Sequence, residues 1–412
     1  MAKILISILG KGQYNKDLKK SDYQLTKYQI EDNQPIESKL VSDILRKEIE
    51  FDKIYIVGTD KSLWSVANEF IGEEKYQKVI IPYGKNDNEF WKIFEKLTKL
   101  DVENKDIYFD ITHGFRSIPI FVSTLLNFFS KVKNAKVKGV YYGIFEAKID
   151  NITPVVNMLP FLEMNQFIDA FSIFKKYSDG RDIGLIIDEK FKEIPNQEKK
   201  KYGKVRELSK ELEFYSKAIG FSAVGLYHKS LSNIERKIAE IEELPDNLKA
   251  IEFLIDDMKK ELSVYENSKT EWDRDLKTAE LLYEKNRYAQ SLTILRETVL
   301  TYILEELELD SKDKDLREQK LGELFKEDSN RIQKKEDTAY FTKELIQLFG
   351  KIRELRNKSN HAFIAKNVGN QDINNSVNNL KNFIEELRGL CEHNRVIKNR
   401  NSLKSEIEYR KK

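Results

Sequence analysis

A group of arginine, asparagine and histidine side chains near the end of the chain has the chemistry to cut a phosphodiester bond. The group consists of Arg353, Arg356, Asn357, Asn360 and His361. At about 100° per residue, these five residues fall within one arc of about 140° on a helix. Histidine can transfer protons near neutral pH, and arginine can stabilise the charge that grows on a phosphate in the transition state. With RNA the 2′-OH can act as the nucleophile, so no protein nucleophile is needed.

The same stripe can also be explained as an ordinary solvated face. Leu348 and Ile352 lie on the opposite side of the predicted helix, as in any amphipathic surface helix. An arginine followed five residues later by a histidine also occurs a second time, at Arg388 and His393. Spacing alone therefore leaves open whether the stripe is catalytic.

A second candidate site lies near the front of the chain, in three loops that follow predicted strands. The loops are residues 9–14, 58–62 and 110–117. Ligands of open α/β sheets bind beyond the carboxyl ends of the strands, where glycines and free backbone N–H groups suit an anion. The candidate ligand-binding residues offer close backbone approach, hydroxyls, an imidazole or positive charge, and they are Gly10, Lys11, Thr59, Ser62, Thr112, His113, Gly114, Arg116 and Ser117.

Each of these loops alone is better explained as an ordinary βα turn in which Ser or Thr caps a helix. Arg116 likewise either contacts a ligand phosphate or pairs with Asp110. The three loops together favour a nucleotide site. The segment 10–12 lacks the third glycine of a dinucleotide-binding fingerprint, and no P-loop is present.

Strand and helix patterns alternate over the first 165 residues. Short apolar runs predict five strands, at Lys3–Leu9, Lys53–Val57, Lys78–Ile81, Asp106–Asp110 and Val137–Gly143. Helical spacing lies between them, at Ser38–Glu50, Ser62–Ile71, Asn88–Leu100 and Ser117–Lys131. This alternation predicts a Rossmann-like α/β domain with a mostly parallel sheet at residues 1–165.

The remainder of the chain is predicted to be all helical. No proline follows Pro245, and glycine is scarce there, so nothing in the composition breaks long helices. We expect a helical connector at residues 166–275 and an all-α terminal domain at residues 276–412, which ends in a basic tail.

Composition limits the possible classes of protein. The 412-residue chain has 40% hydrophobic and 34% charged residues, which is typical of a soluble globular protein. Its net charge of +2 argues neither for nor against a polyanionic partner such as RNA. The single cysteine, Cys391, excludes an intramolecular disulfide and favours the reducing cytoplasm. Because zinc-ligand spacing and a membrane-length apolar segment are both absent from the sequence, we expect no metal and no membrane partner.

Four motifs carry a family resemblance. The front of the chain contains LGKGQY, GTDKSLW and, most distinctively, DITHGFRS, while Arg356 to His361 have the form R-N-x-x-x-H. A helix predicted around Asn286–Leu292 precedes the last motif. In these motifs the two ends of the chain resemble the CARF and HEPN domains of the CARF–HEPN ribonucleases of type III CRISPR–Cas systems.

The resemblance implies an activator, a reaction and an assembly. Cyclic oligoadenylate, expected as the four-adenylate ring, would bind across two CARF domains at the loop residues named above. Two HEPN domains would cut single-stranded RNA without metal or cofactor and leave a 2′,3′-cyclic phosphate. Arg356 would stabilise the phosphate, His361 would be the acid/base and Asn357 would position them, while Arg353 and Arg388 could share this work. The chain would be a homodimer or a larger homo-oligomer.

Two other functions remain open on the sequence alone. The chain could be a non-catalytic CARF-type sensor whose helical half regulates a partner or DNA; burial of Arg356 or His361 in the core would favour that function. It could also be a free-standing HEPN toxin with a structural Rossmann domain, whose RNA cleavage no nucleotide would stimulate.

Overall fold

The structure is a computed structural model that describes residues 1–15, 20–114, 118–364 and 369–411. The chain forms two compact units, Met1–Gln166 and Phe167–Lys412. The first unit ends close to residue 165, where the α/β domain was expected to end. A single hydrophobic cluster extends from Phe167 to Ile407 in the second unit, and the expected division near residue 275 stays a prediction.

The first unit is built on an eight-stranded sheet. Its strands are β1 Lys3–Leu9, β4 Thr26–Ile30, β5 Ile36–Ser38, β6 Lys53–Gly58, β7 Gln77–Ile80, β8 Asp106–Asp110, β9 Lys136–Gly143 and β10 Ile152–Asn157. A separate hairpin is formed by β2 Gln13–Asn15 and β3 Lys20–Asp22. The order in the sheet is β5-β4-β10-β9-β8-β1-β6-β7. All neighbours are parallel except β9–β10 and β4–β5, so the predicted mostly parallel sheet is confirmed.

Helices cover both faces of this sheet. They are α1 Val41–Glu48, α2 Trp64–Phe70, α3 Asp87–Thr98, α4 Ile118–Val132 and α5 Leu159–Tyr177, which continues into the second unit. Alternate residues of β1 point to opposite faces. Ile4 and Ile6 therefore pack with α3 and α4, whereas Leu5 packs with α1 and α2. This layering is the predicted Rossmann-like architecture.

The second unit is helical, as predicted, and the structure shows no strand among the residues it describes there. The helices are α6 Arg181–Glu193, α7 Gly203–Gly220, α8 Val224–Ala239, α9 Ile251–Ser263, α10 Glu271–Glu284, α11 Tyr288–Glu306, α12 Leu321–Gln333, α13 Lys343–Asn360, α14 Asn370–Glu392 and α15 Arg400–Lys411. Within the described ranges, no helix has the length and apolar character needed to cross a bilayer.

The five predicted strands were an incomplete set. The sheet gains β4, β5 and β10, and the hairpin of β2 and β3 follows directly on the first loop. Strands β2 to β5 are short and rich in polar residues, and Pro154 interrupts the apolar residues of β10, so none of them has the unbroken apolar run that identified the other strands. The predicted helix at Ser38–Glu50 is also shorter, because Ser38 ends β5 and α1 starts only at Val41.

Candidate functional site

The carboxyl ends of β1 and β8 lie side by side and bring two of the predicted loops together. Ser7 is opposite Asp110 in the parallel pairing. The Ser7 hydroxyl donates to the Asp110 carboxylate at 2.7 Å, and the Thr112 N–H donates to the same carboxylate at 3.0 Å. Burial raises the pKa of Asp110, against the opposing effect of these hydrogen bonds. Asp110 thus fixes the start of the loop that carries Thr112, His113 and Gly114.

The glycines of the first loop allow a close approach to this second loop. A Cβ atom on Gly10 would lie 2.4 Å from the His113 carbonyl oxygen. Gly12 has a φ of +67°, and a Cβ atom there would lie 2.6 Å from the Asp22 carbonyl oxygen. Because only glycine fits such positions without a backbone shift, both residues are needed for the geometry of this edge.

His113 is held in the neutral form beside this loop. Its ring packs against Tyr23 with centroids 4.2 Å apart, and it forms a hydrogen bond with the backbone of Lys39. Burial lowers the pKa of His113 to about 4, although the hydrogen bond to Lys39 acts in the opposite direction. Nε2 of His113 is buried and has no hydrogen-bond partner among the described residues. A ligand group could therefore satisfy this nitrogen.

A pocket of about 610 Å³ opens at this edge. This volume lies within the range of about 300–1,000 Å³ that is usual for small-molecule sites. Five of the predicted residues line it, namely Gly10, Lys11, Thr112, His113 and Gly114. The Lys11 ammonium lies 4.4 Å from the centroid of the Tyr83 ring, and Lys39 forms an ion pair with Asp22 at 2.8 Å. The lining thus combines the Lys11 ammonium, aromatic rings and loop backbone with two carboxylates, Asp22 and Glu146, of which Asp22 is paired with Lys39. Its size and its aromatic rings suit a nucleotide base.

Thr59 and Ser62 are absent from the lining of this pocket. Both are buried; the Ser62 hydroxyl donates to the Leu9 carbonyl at 2.6 Å and accepts from the Thr59 N–H at 2.8 Å. Their hydroxyls thus brace the turn beside the first loop, and their contact with a ligand stays a prediction. Arg116 and Ser117 lie outside the described residues.

The pocket also contains residues that the sequence interpretation missed. They are Asp22, Tyr23, Gln24, Tyr142, Phe145 and Glu146, while Gly12 and Gln13 belong to the first predicted loop. The Tyr23 hydroxyl donates to the Gly10 carbonyl at 2.8 Å, so this ring closes one side of the pocket. The alternation of apolar and polar residues in β4 was the available signal for a strand directly after Tyr23.

The arginine and histidine stripe lies at the end of α13. Thr342 caps the start of this helix by accepting from the Leu345 N–H. Leu348 and Ile352 are fully buried in the core of the second unit, as the amphipathic pattern predicts. The stripe therefore lies on a helix whose opposite face is buried in the core of the second unit.

The structure exposes most of the stripe. Arg353, Asn357, Asn360 and His361 are exposed, and Arg356 is half-buried. His361 itself is the C-cap, where its N–H donates to the Asn357 carbonyl at 2.9 Å. Among the described residues, the side chains of Arg353, Arg356 and His361 have no hydrogen-bond or ion-pair partner in the second unit. The stripe therefore presents uncompensated positive charge beside an accessible imidazole.

The second arginine–histidine pair has different surroundings. Arg388 forms an ion pair with Glu280 at 2.6 Å, and His393 Nδ1 lies 2.8 Å from the Gly389 carbonyl. Both side chains are thus engaged within the protein. The expectation that Arg388 shares the work of Arg356 gains no support from this pairing.

No group of three or more His, Cys, Asp or Glu side chains is arranged to hold a metal ion among the residues that the structure describes. The side chains at the end of α13 are of types that can transfer a proton and bind a phosphate.

Comparison with known proteins bears on the first unit most directly. Residues 4–146 match the family model described as "CRISPR system endoribonuclease Csx1, CARF domain". CRISPR-associated protein MJ1674 of Methanocaldococcus jannaschii is 26% identical, over 93% of this chain and 66% of the relative. The chain therefore spans about two thirds of the length of that relative.

Among solved structures, Enterococcus italicus Csm6 bound to cyclic hexa-2′-fluoro-hexa-dAMP aligns with 98% of this chain and 100% of its own, at 14% identity. Its TM-score of 0.36 is too low to establish a common fold. The family match ends at residue 146, so the HEPN interpretation of the second unit stays a prediction. The CARF resemblance of the front is confirmed: residues 4–146 match a CARF-domain model, and the chain is similar over most of its length to a CRISPR-associated protein.

Proposed function

We propose that this protein is an endoribonuclease that cyclic oligoadenylate activates and that cuts single-stranded RNA without a metal ion. The observation that carries the proposal is the combination, in one chain, of a nucleotide-sized CARF pocket and an exposed Arg/Asn/His stripe. The match of residues 4–146 to a CARF-domain model supports the proposed sensing of the activator. The exposed Arg, Asn and His side chains at the end of α13 support the proposed RNA cleavage.

The activator would bind at the pocket of about 610 Å³. Lys11 would attract a phosphate, while the Tyr23 and His113 rings would pack against a base. Neutral His113 would use its unpartnered Nε2 for one hydrogen bond to the ligand. Arg116 and Ser117 remain predicted contacts of the activator. A ring of four adenylates remains the expected activator.

Cleavage would start when the 2′-oxygen of the RNA attacks the adjacent phosphorus. The bond from phosphorus to the 5′-oxygen then breaks, giving a 2′,3′-cyclic phosphate and a 5′-hydroxyl. The proton lost by the 2′-OH is balanced by the proton gained by the 5′-oxygen, and His361 would transfer one of them. Arg356 would bind the phosphate, with Arg353 close to it on the helix and Asn357 orienting the group.

Incubation of the purified protein with single-stranded RNA in EDTA, against a panel of cyclic oligoadenylates, tests this function. We expect cleavage that one ring stimulates strongly. Absence of cleavage with every ring would favour the non-catalytic sensor, while cleavage that no ring stimulates would favour a free-standing toxin.

Replacement of the catalytic histidine tests the residue assignment. We expect His361→Ala to lower the cleavage rate by about 10²–10⁴-fold, because that is the usual contribution of a general acid or base. Activator binding, measured by calorimetry, should stay unchanged because the pocket lies in the other unit. His393→Ala is the matched control, since it removes an exposed C-cap histidine from the neighbouring helix. Equal losses in both variants would contradict the assignment.

A further inference from the structure

The first half of α14 carries a face made almost entirely of side-chain amides. At about 100° per residue these side chains fall within an arc of about 140°. We call them the amide face, and they are Gln371, Asn374, Asn375, Asn378, Asn379 and Asn382. All six are exposed. The opposite side of the helix holds Leu380 and Ile384 in the core.

Helix stability does not explain this composition. Asparagine is among the poorer helix formers because its amide competes for backbone hydrogen bonds. Within the described ranges, the amide face contains one side-chain hydrogen bond, from Gln371 Nε2 to Asn375 Oδ1 at 3.1 Å. The next turn of the same helix has the usual charged surface, with Glu385 and Glu386. The amides thus lower the intrinsic stability of the helix. This composition points to a role for the amides in contacts outside the helix.

The amide face belongs to the part of α14 that packs beside the end of α13. An apolar pocket is lined by Ser359 of α13, by Phe363 just after that helix, and by Ser376 and Val377 on the side of α14 that faces away from the amide face. Ser359 stands in the sequence between Asn357 and His361. The end of α13 and the first half of α14 are therefore neighbours, and the stripe and the amide face lie on the sides of these helices that face away from the shared pocket.

The chemistry of the amide face fits unpaired bases. Each amide offers a donor and an acceptor, and asparagine or glutamine can form two hydrogen bonds to the edge of an adenine. Such edges are free in single-stranded RNA. The one carboxylate in the first turn, Asp372, accepts from the Gly369 N–H at 2.9 Å and lies at the edge of the arc. A second copy of the chain fits less well, because stable interface cores are enriched in aromatic and apolar side chains, which this arc lacks.

We propose that the amide face binds the bases of single-stranded RNA beside the cut and sets the base preference there. This proposal rests on the proposed function, since it concerns the substrate of the same site. Phosphate binding by Arg353 and Arg356 would supply affinity without sequence information, and the amides would supply the discrimination.

The test uses the triple variant Asn374→Ala, Asn378→Ala, Asn382→Ala in a His361→Ala background that prevents cleavage. Alanine is the better helix former, so the variant should fold at least as well. Fluorescence anisotropy would measure its affinity for short labelled oligo-A, oligo-U and oligo-C RNA. The control is Asn330→Ala with Asn401→Ala, which removes exposed asparagines from α12 and α15.

We expect the triple variant to lose at least about tenfold in RNA affinity, and to lose its preference among the three RNAs. The dependence of affinity on salt should stay the same, because amides neutralise no phosphate. The control should bind RNA with the same affinity as the His361→Ala protein that carries no further substitution.

Unchanged RNA affinity in the triple variant would overturn the proposal. A change in sedimentation with unchanged RNA affinity would overturn it in favour of contact with a second copy. If the His361→Ala protein without further substitutions binds no RNA, both this proposal and the proposed function are contradicted. If RNA binding depends on the amides but the wild-type protein cuts nothing, the amide face stands and the ribonuclease assignment fails.

Discussion

Two histidines in this chain have opposite surroundings, and their proposed roles differ accordingly. His113 is 9% exposed and is kept neutral by burial, with its pKa lowered to about 4. A ring in one fixed protonation state suits recognition of a base. His361 is exposed at the end of α13, where an RNA chain can reach it. Exposure suits proton transfer, which requires contact with substrate.

The buried state of His113 predicts how stability depends on pH. The folded-state pKa is about 4 and the ordinary value is 6.5, so between these values the unfolded chain binds a proton that the folded chain does not. The free energy of unfolding should therefore fall as the pH falls, by about 2 kcal/mol between pH 7 and pH 5 for this residue.

Urea denaturation at the two pH values measures this effect. His113→Gln should show a smaller loss of stability on acidification than the wild type. His228→Gln provides a comparison, because burial also lowers the pKa of His228 to about 4. This variant should likewise lose less stability on acidification than the wild type. An acid-induced loss that is the same in His113→Gln and the wild type would show that His113 is not held neutral.

At the scale of elements, α13 is held by a buried carboxylate on α12. Asp328 is fully buried and accepts from three consecutive backbone N–H groups, those of Ala339, Tyr340 and Phe341, at 2.6, 2.9 and 2.9 Å. These residues lead directly into Thr342, the N-cap of α13. Asp328 thus sets where the catalytic helix begins.

Loss of this carboxylate should destabilise the second unit. Asp328→Ala leaves three backbone N–H groups without their acceptor, and we expect a loss of about 3 kcal/mol in the free energy of unfolding. Denaturant titration with a helix-sensitive signal measures it. Asp337→Ala removes an exposed carboxylate from the same segment and should shift the midpoint little. A midpoint shift in Asp328→Ala as small as in Asp337→Ala would contradict the anchoring role.

The elements that the sequence predicted well are those with strong periodicity. The five apolar strands and α13 were predictable because the side chains of each pack into a core with a regular period. The site pocket was only half predictable. Its glycines, Thr112 and His113 lie at strand ends that the pattern located, whereas Tyr23 and Phe145 are brought in by β4, β9 and β10. No local signal in the sequence places those strands side by side.

At the scale of the whole molecule, the proposed mechanism predicts a homodimer at minimum. Each α13 carries one exposed histidine in its stripe, while an acid/base mechanism commonly uses two groups. Two-fold pairing would bring two stripes into one cleft. Light scattering at micromolar concentration should therefore give at least twice the mass of the chain. A monomer that cuts RNA at the full rate would contradict this prediction.

In the proposed mechanism, the first unit senses the activator and the second unit cuts RNA. The most direct measurement is the rate of RNA cleavage in EDTA as a function of the concentration of cyclic tetra-adenylate, or of another ring that the panel identifies as the activator, for the wild type, Lys11→Ala and His361→Ala. We predict that Lys11→Ala moves the midpoint to a concentration at least about tenfold higher with the same plateau, because a charge-assisted contact is lost. His361→Ala should remove the plateau. A wild-type rate that does not respond to the ring at any concentration would contradict the account.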